Sequence, residues 1–496
     1  MRYHRVLYTT LGFLCVIFSG AVLAEKSQLI DAIREGRRND AVDLISSKTD
    51  LSNIANDGTT ALHWAVRQDD PDLTQRLIEA GADAQARNRY GISPLHLAAL
   101  NGNAINIRLL LDAGANANET GSEGETVLMT VARTGVAEAA QALIDAGADI
   151  NARETWHGQT ALMWAAGEGH VAMLSTLLDA GAEVNAASNV EEWERQRTAE
   201  PRAKWLPPGG MTALLFAARE GCSECIEVLV AAGADVNAPA PDDITALISA
   251  LINGHFDTAA ELLGAGADPN LLDYAGRSAL YAAVDFNTMP SSNRPAPDVI
   301  RENHTALDII EMLLESGADP NIQLLRQSPY RAKLDRGNDT VLGAGTTALL
   351  RAAKAGDIAA MRALLNNGAD ASLATERGVN ALMLAAGLGT TEQDTTGRFK
   401  TQAQAIEAID LVLAEGLDID ARDNRGRTAL HGAALQGYDS VVAALAERGA
   451  DLSATDDDGH TALDTALGLA GGWGFAGNVG VVQESTAALL QDLTGQ

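Results

Sequence analysis

The sequence predicts an all-α array of short helix pairs, one supersecondary unit copied along the chain. A phrase of the form Asp-Gly-x-Thr-Ala-Leu-His recurs with its anchor at Thr60, Ser93, Thr126, Thr160, Thr212, Thr245, Ser278, Thr347, Asn380, Thr428 and Thr461. Most gaps between anchors are 33 or 34 residues. A period near 33 marks a stacked repeat rather than a set of separate domains. A second phrase follows each regular anchor by about 21 residues, as in Gly114-Ala-Asn-Ala-Asn118, Gly181-Ala-Glu-Val-Asn185, Gly233-Ala-Asp-Val-Asn237 and Gly266-Ala-Asp-Pro-Asn270, and it recurs at Gly317-Ala-Asp-Pro-Asn321 after a longer gap.

The elements follow in chain order. Residues 1–24 open with Arg2 and Arg5, run apolar from Val6 to Phe18 and end on small residues. That is the pattern of a secretory signal peptide, with cleavage predicted after Ala24. Bulky Phe13 and Leu14 ahead of Cys15 argue against lipid attachment at that cysteine. No later stretch approaches about 18 consecutive apolar residues, so no membrane insertion is expected after cleavage.

Residues 25–56 read as an N-terminal capping unit, with Ile30, Ala32, Ile33, Ala41, Val42 and Ile45 as its buried face. The next unit shows the logic of all that follow. Asp57-Gly58 makes a turn, and Thr60 caps a helix carrying Ala61, Leu62, Ala65 and Val66. A turn over Gln68–Pro71 leads to a second helix with Leu73, Leu77 and Ile78 on one face. Gly81 ends it in the left-handed conformation, and Ala82–Ala86 runs out extended. Each pair is too short to bury its own apolar face, so it must stack on its neighbours.

Three long anchor gaps and the end of the last repeat locate five insertions, which fix the layout. Repeats fill residues 57–188, 210–323 and 346–496. Insertions lie between repeats at 189–209 and 324–345, and inside repeats at 287–304, 390–404 and 471–480. A last helix is expected over Val482–Leu493.

Gly91-Ile-Ser-Pro-Leu-His-Leu-Ala-Ala-Leu-Asn-Gly102 and Gly426-Arg-Thr-Ala-Leu-His-Gly-Ala-Ala-Leu-Gln-Gly437 carry a resemblance to the ankyrin repeat family. Pro94 keeps the proline of that family's phrase, where most copies here have alanine. The resemblance covers residues 25–496 and implies a solenoid of eleven repeats behind the N-terminal cap. The tract Gly158-Gln-Thr-Ala-Leu-Met-Trp-Ala-Ala-Gly-Glu-Gly-His170 is similar to exported bacterial ankyrin-repeat proteins. The ankyrin resemblance implies a non-catalytic scaffold or accessory factor that binds a protein through its hairpin edge and concave face. The insertions 189–209 and 324–345 would share that edge.

Trp193, Arg197 and Trp205 in the first of these loops, and Arg326, Tyr330 and Arg331 in the second, are the candidate interface. Aromatic and arginine side chains bury much area for few frozen torsions. The competing reading folds these loops back on the array, with Trp193 and Trp205 filling apolar grooves.

A formal charge of −30, from 36 basic and 66 acidic residues, repels nucleic acid and anionic membranes. It leaves a protein partner, no nucleic acid, and a monomer as the expectation. Alanine-rich, lysine-poor composition fits a Gram-negative source and hence the periplasm.

The chemistry-bearing motifs are few. Cys222-Ser-Glu-Cys225 sits where a second helix begins, with Cys225 inward. It reads as a structural pair, reduced or bridged, or as a redox pair that lacks the βαβ setting of such motifs. His63, His96 and His431 fall in different repeats and read as structural, and His170 and His255 as ordinary turn residues. Asp456-Asp457-Asp458 reads as a hairpin turn, lacking the alternation and closing Glu of a calcium loop. No zinc, P-loop or G-x-S-x-G motif is present, so neither cofactor, metal nor enzymatic activity is expected. The alternatives are a redox or enzyme-accessory protein using Cys222 and Cys225, and a secreted effector that binds host proteins.

Overall fold

The computed structural model describes residues 28–47, 51, 54–191, 208–288, 302–327, 341–390, 400–470 and 481–495. Among them there are helices, turns and isolated bridges such as Thr120 to Thr126, and no strand. The predicted signal peptide and the insertion 471–480 lie outside the described residues. The chain divides into two compact units. The first is Met1–Lys204 with Gly209–Ala217 and Ala231–Ala234; the second includes Ala218–Val230 and Asp235–Gln496.

The first helices, in chain order, are α1 (Gln28–Arg34), α2 (Arg38–Ser46), α3 (Ala61–Arg67), α4 (Pro71–Glu79), α5 (Pro94–Asn101) and α6 (Ala104–Asp112). Then come α7 (Val127–Thr134), α8 (Ala137–Asp145), α9 (Ala161–Gly167), α10 (Val171–Asp179), α11 (Ala213–Glu220) and α12 (Ser223–Ala231). The second unit continues with α13 (Ala246–Asn253), α14 (Phe256–Gly264), α15 (Ala279–Thr288), α16 (Ala306–Glu315), α17 (Ala348–Ala355) and α18 (Ile358–Asn366). It ends with α19 (Ala381–Ala385), α20 (Gln402–Ala414), α21 (Ala429–Gln436), α22 (Asp439–Glu447), α23 (Ala462–Ala466) and α24 (Glu484–Thr494). In the first unit the leading helices α3, α5, α7 and α9 pack on one another, as do the trailing helices α4, α6, α8 and α10. The second unit repeats this two-layer order from α13 to α24.

The repeated phrase earns its place in the caps. The Thr60 hydroxyl accepts the His63 N–H, and His63 Nδ1 accepts the Thr60 N–H, closing a capping box. The far nitrogen, Nε2, lies 2.9 Å from the Ile92 carbonyl and so carries the proton. His431 repeats this, with Nδ1 taking the Thr428 N–H and Nε2 3.0 Å from the His460 carbonyl. Gly81, at φ +94°, ends α4 as its spacing requires.

Two hydrogen-bond ladders tie repeat to repeat. Asn118 donates to the Gly147 carbonyl and accepts the Asp149 N–H, and Asn151 does the same with Gly181 and Glu183. In the second unit Asn237, Asn270 and Asn321 keep this pattern. Only an amide both donates and accepts there, which explains an asparagine at that place in the Gly-Ala-x-x-Asn phrase. The second ladder joins hairpin to hairpin: Arg89 N–H to Asp57 O, Thr155 to Glu123, Asn189 to His157, Tyr274 to Asp242 and Leu325 to Ala275. The insertions at 189–209 and 324–345 therefore leave from hairpins that still hold the regular step. Their limits are closed by the Val190 to Gly209 bridge and by the Gly345 N–H on the Leu324 carbonyl.

Three limits shift from the sequence expectation. Helix α15 runs through Thr288, past the expected start of its insertion at 287. Helix α20 begins at Gln402 rather than after 404, because Thr401 and Gln404 form a capping box. Buried Lys400 precedes it and donates to the carbonyls of Lys354 and Leu384, near the C-termini of α17 and α19, where a cation is favoured. The last helix is Glu484–Thr494 rather than Val482–Leu493.

Burial holds the His63 and His431 rings below the usual imidazole range. The unfolded chain then takes up protons first as pH falls, so folding stability is full above about pH 6.5 and is lost below it. The melting temperature should drop between pH 7 and pH 5, above the range where carboxylates protonate. The His63→Gln, His431→Gln double variant should show a shallower drop in the same scan; an unchanged slope would contradict the assignment.

Candidate functional site

Of the six interface residues expected from sequence, Trp193, Arg197, Trp205, Tyr330 and Arg331 lie outside the described residues. Arg326 is exposed, with its guanidinium 5.7 Å over the Tyr274 ring and its N–H on the Ala275 carbonyl. That pose anchors the start of the second hairpin insertion on the preceding hairpin.

A second aromatic and arginine set emerges from helix register. Four residues after successive anchors stand Trp64, Leu97, Thr130 and Trp164; seven after stand Arg67, Leu100, Arg133 and Gly167. In α3 the buried residues are Ala61, Leu62, His63, Ala65 and Val66, while Trp64 is half-buried with its indole nitrogen enclosed and Arg67 is exposed. The Arg67 guanidinium lies 5.3 Å over the Trp64 ring, and Arg133 lies 5.5 Å over Trp164. Between them Leu100 is 52% exposed. A guanidinium over an indole face still carries N–H groups that can meet a carboxylate or carbonyl. The edge beside this face is aromatic too. Tyr90 is 65% exposed beneath Arg89, and Trp156 is 57% exposed and stacked on His157.

In the second-unit repeat anchored at Thr347 the same register is buried. Arg351, four residues after its anchor, is 2% exposed and pairs with Asp285 at 2.8 Å; Lys354 is buried as well. Val341 and Leu342, from the end of the second hairpin insertion, are buried, and Gly389 has no side chain where Val341 sits. At its C-terminal end this insertion therefore packs on its own unit.

The polar clusters are structural. Ser93, His96 and Glu119 meet in a buried set that mimics a nucleophile triad, yet the roles differ. The Ser93 hydroxyl donates to Glu119 Oε1 and accepts the His96 N–H as a helix cap, while His96 Nδ1 lies 2.9 Å from the same carboxylate oxygen. Burial pushes the Glu119 carboxyl up, but hydrogen bonds from His96 and Ser93 and the nearby Arg87 outweigh it and leave it low. His96 Nδ1 also lies 3.0 Å from the Ser93 hydroxyl, while His96 Nε2 has no partner among the described residues. His170 and His255 rest their rings on Gly135 and Gly221 and bond the carbonyls of Arg133 and Arg219.

Cys222 and Cys225 are joined by a disulfide at the start of α12, with Cys225 buried and Cys222 partly exposed. Asp456, Asp458 and His460 bring three ligand atoms within 4.8 Å, the one such group among the described residues. Asp456 Oδ1 already accepts the N–H groups of Asp458 and His460, as a hairpin turn requires.

Residues 29–121, 106–188 and 214–324 match a family model of ankyrin repeats in three copies, and residues 412–466 match one of ankyrin repeats in many copies. Together they cover more than half of the chain. A 74-residue segment is 39% identical to an ankyrin repeat protein of Acanthamoeba polyphaga mimivirus, covering 15% of this chain and 46% of that relative. A 74-residue match to BCL-6 corepressor-like protein 1 of Homo sapiens is 36% identical, covering 15% of this chain and 4% of that relative. The matches thus span less than half of either relative. Among the described residues no helix is long and apolar enough to cross a membrane.

Proposed function

Because the chain belongs to the ankyrin-repeat family, we propose that it is a non-catalytic scaffold or accessory factor that grips a protein partner on the leading-helix face of its first unit. The observation that carries this is the pair of arginine-capped indoles, Trp64 with Arg67 and Trp164 with Arg133, around exposed Leu100. Tryptophan and arginine dominate binding hot spots, and ordered helices lose little freedom when they bind. The acidic body would steer a partner with basic flanks toward this face.

The finer parts of the proposal rest on sequence. They are eleven repeats behind a cap at residues 25–56, a monomer, and export to the periplasm after cleavage behind Ala24. Trp193, Arg197, Trp205, Tyr330 and Arg331 would add anchors at the hairpin edge, on the strength of their composition.

The test is a photo-crosslinking residue placed at Leu100 in one version and at exposed Ile105 of α6 in another, each expressed in the native cell. Crosslinks from Leu100 should exceed those from Ile105 severalfold and appear in the osmotic-shock fraction. Equal yields at both positions would defeat the assignment of the face, and a product confined to the cytoplasm or the medium would defeat the periplasmic placement.

A further inference from the structure

The Cys222–Cys225 bridge spans the first turn of α12. Its two sulfurs are unequal: the Cys225 side chain is fully buried, whereas Cys222 is partly exposed. Cys222 immediately precedes the helix, and its Sγ lies 3.2 Å from the Cys225 N–H. Asp70 at α4 and Asp357 at α18 put a carboxylate oxygen in that place, accepting the N–H of Leu73 and Ala360. Those repeats build the same turn with no crosslink. A bridge over so short a loop, already held by helical hydrogen bonds, adds little to folding. The turn does not need the disulfide, so its presence asks for a chemical reason.

We propose that Cys222 and Cys225 form an exchangeable dithiol–disulfide couple that oxidises dithiols on a protein partner, with Cys222 as the sulfur under attack. A partner thiolate attacks Cys222 Sγ, the bond to Cys225 breaks, and its electron pair leaves on Cys225, which takes a proton in its buried site. The partner's second thiolate then attacks the partner sulfur of the mixed disulfide and releases Cys222 as the thiolate. The Cys225 N–H and the N-terminus of α12 stabilise that charge, against the opposing carboxylate of Glu224 in the first turn. The partner's dithiol has lost two electrons and two protons; the couple has gained the two electrons and one of the protons, on Cys225, and the other proton passes to solvent. A second disulfide, of a protein or of glutathione, restores the bridge by the reverse exchange.

The test uses the full chain. With excess dithiothreitol and no denaturant the bridge should open without loss of helical circular dichroism, as counted by thiol alkylation and mass. In Cys225→Ser, Cys222 should react with iodoacetamide at pH 7 about tenfold or more faster than Cys225 does in Cys222→Ser, and should form a mixed disulfide with glutathione disulfide. A bridge that resists dithiothreitol until urea unfolds the chain would overturn the proposal, as would a Cys222 thiol no faster than an ordinary exposed cysteine. If either variant fails to fold, the native-state reduction of the unaltered chain decides by itself.

Discussion

Asp273→Ala should destabilise the second unit by about 3–5 kcal/mol, the usual cost of leaving one member of a buried ion pair alone. Asp273 and Arg277 are both almost wholly buried, and the carboxylate serves four donors at once. Its Oδ1 accepts the N–H groups of Ala275 and Arg277, and its Oδ2 accepts the Arg277 Nε at 2.8 Å and a terminal nitrogen at 2.7 Å. Alanine would strand a buried guanidinium and two backbone donors inside the hairpin that carries Leu325 and Arg326. Asp273→Ala with Arg277→Met should recover much of the loss, since the stranded charge goes, while the two N–H groups remain without their acceptor. Urea unfolding followed by circular dichroism checks both. The loss is read from the first transition, because repeat arrays need not unfold in one step. A single variant within about 0.5 kcal/mol of the parent would contradict the account, since surface changes alone are that small.

What the sequence made legible was whatever each repeat needs for itself. Thr60 and Gly81 are local requirements of helix ends, and both sit where the period places them. Cys225 was readable as inward because its neighbours keep helical register, and it is fully buried. Contacts that cross repeats were not readable in the same way. The asparagine of the Gly-Ala-x-x-Asn phrase stood out by its regularity, but its double role appears only once Asn118 is seen to reach both Gly147 and Asp149. Glu119 pairs with His96 from a loop, and no spacing rule joins them. The Trp64 and Trp164 face was hidden for another reason. Comparing the fourth residue after each anchor would have found it, but the breaks in the period drew the expectation toward the loops. The capping box at Thr401 and Gln404 is legible as Thr-x-x-Gln, and it starts α20 at Gln402.

Trp64→Ala combined with Trp164→Ala carries the second large effect. Each substitution removes an indole and frees the guanidinium held against it, Arg67 or Arg133. Truncating a binding hot spot costs about 2 kcal/mol or more, roughly thirtyfold in Kd, so the pair together should weaken binding by several hundredfold or beyond. Stability should fall far less than binding, because both tryptophans are only half-buried on α3 and α9 and the cation–π pairs contribute only about 0.5–1 kcal/mol at exposed sites. Leu29 to Ile33 in α1 and the stacked cores of α3 to α10 are untouched by either change. The deciding measurement is a calorimetric titration of the partner captured through Leu100 into the parent chain and into this double variant. The parent should bind with a defined Kd, while the variant, with unchanged helical signal, should lose nearly all measurable heat. A variant that binds as tightly as its parent would show that the leading-helix face is not where this protein grips its partner.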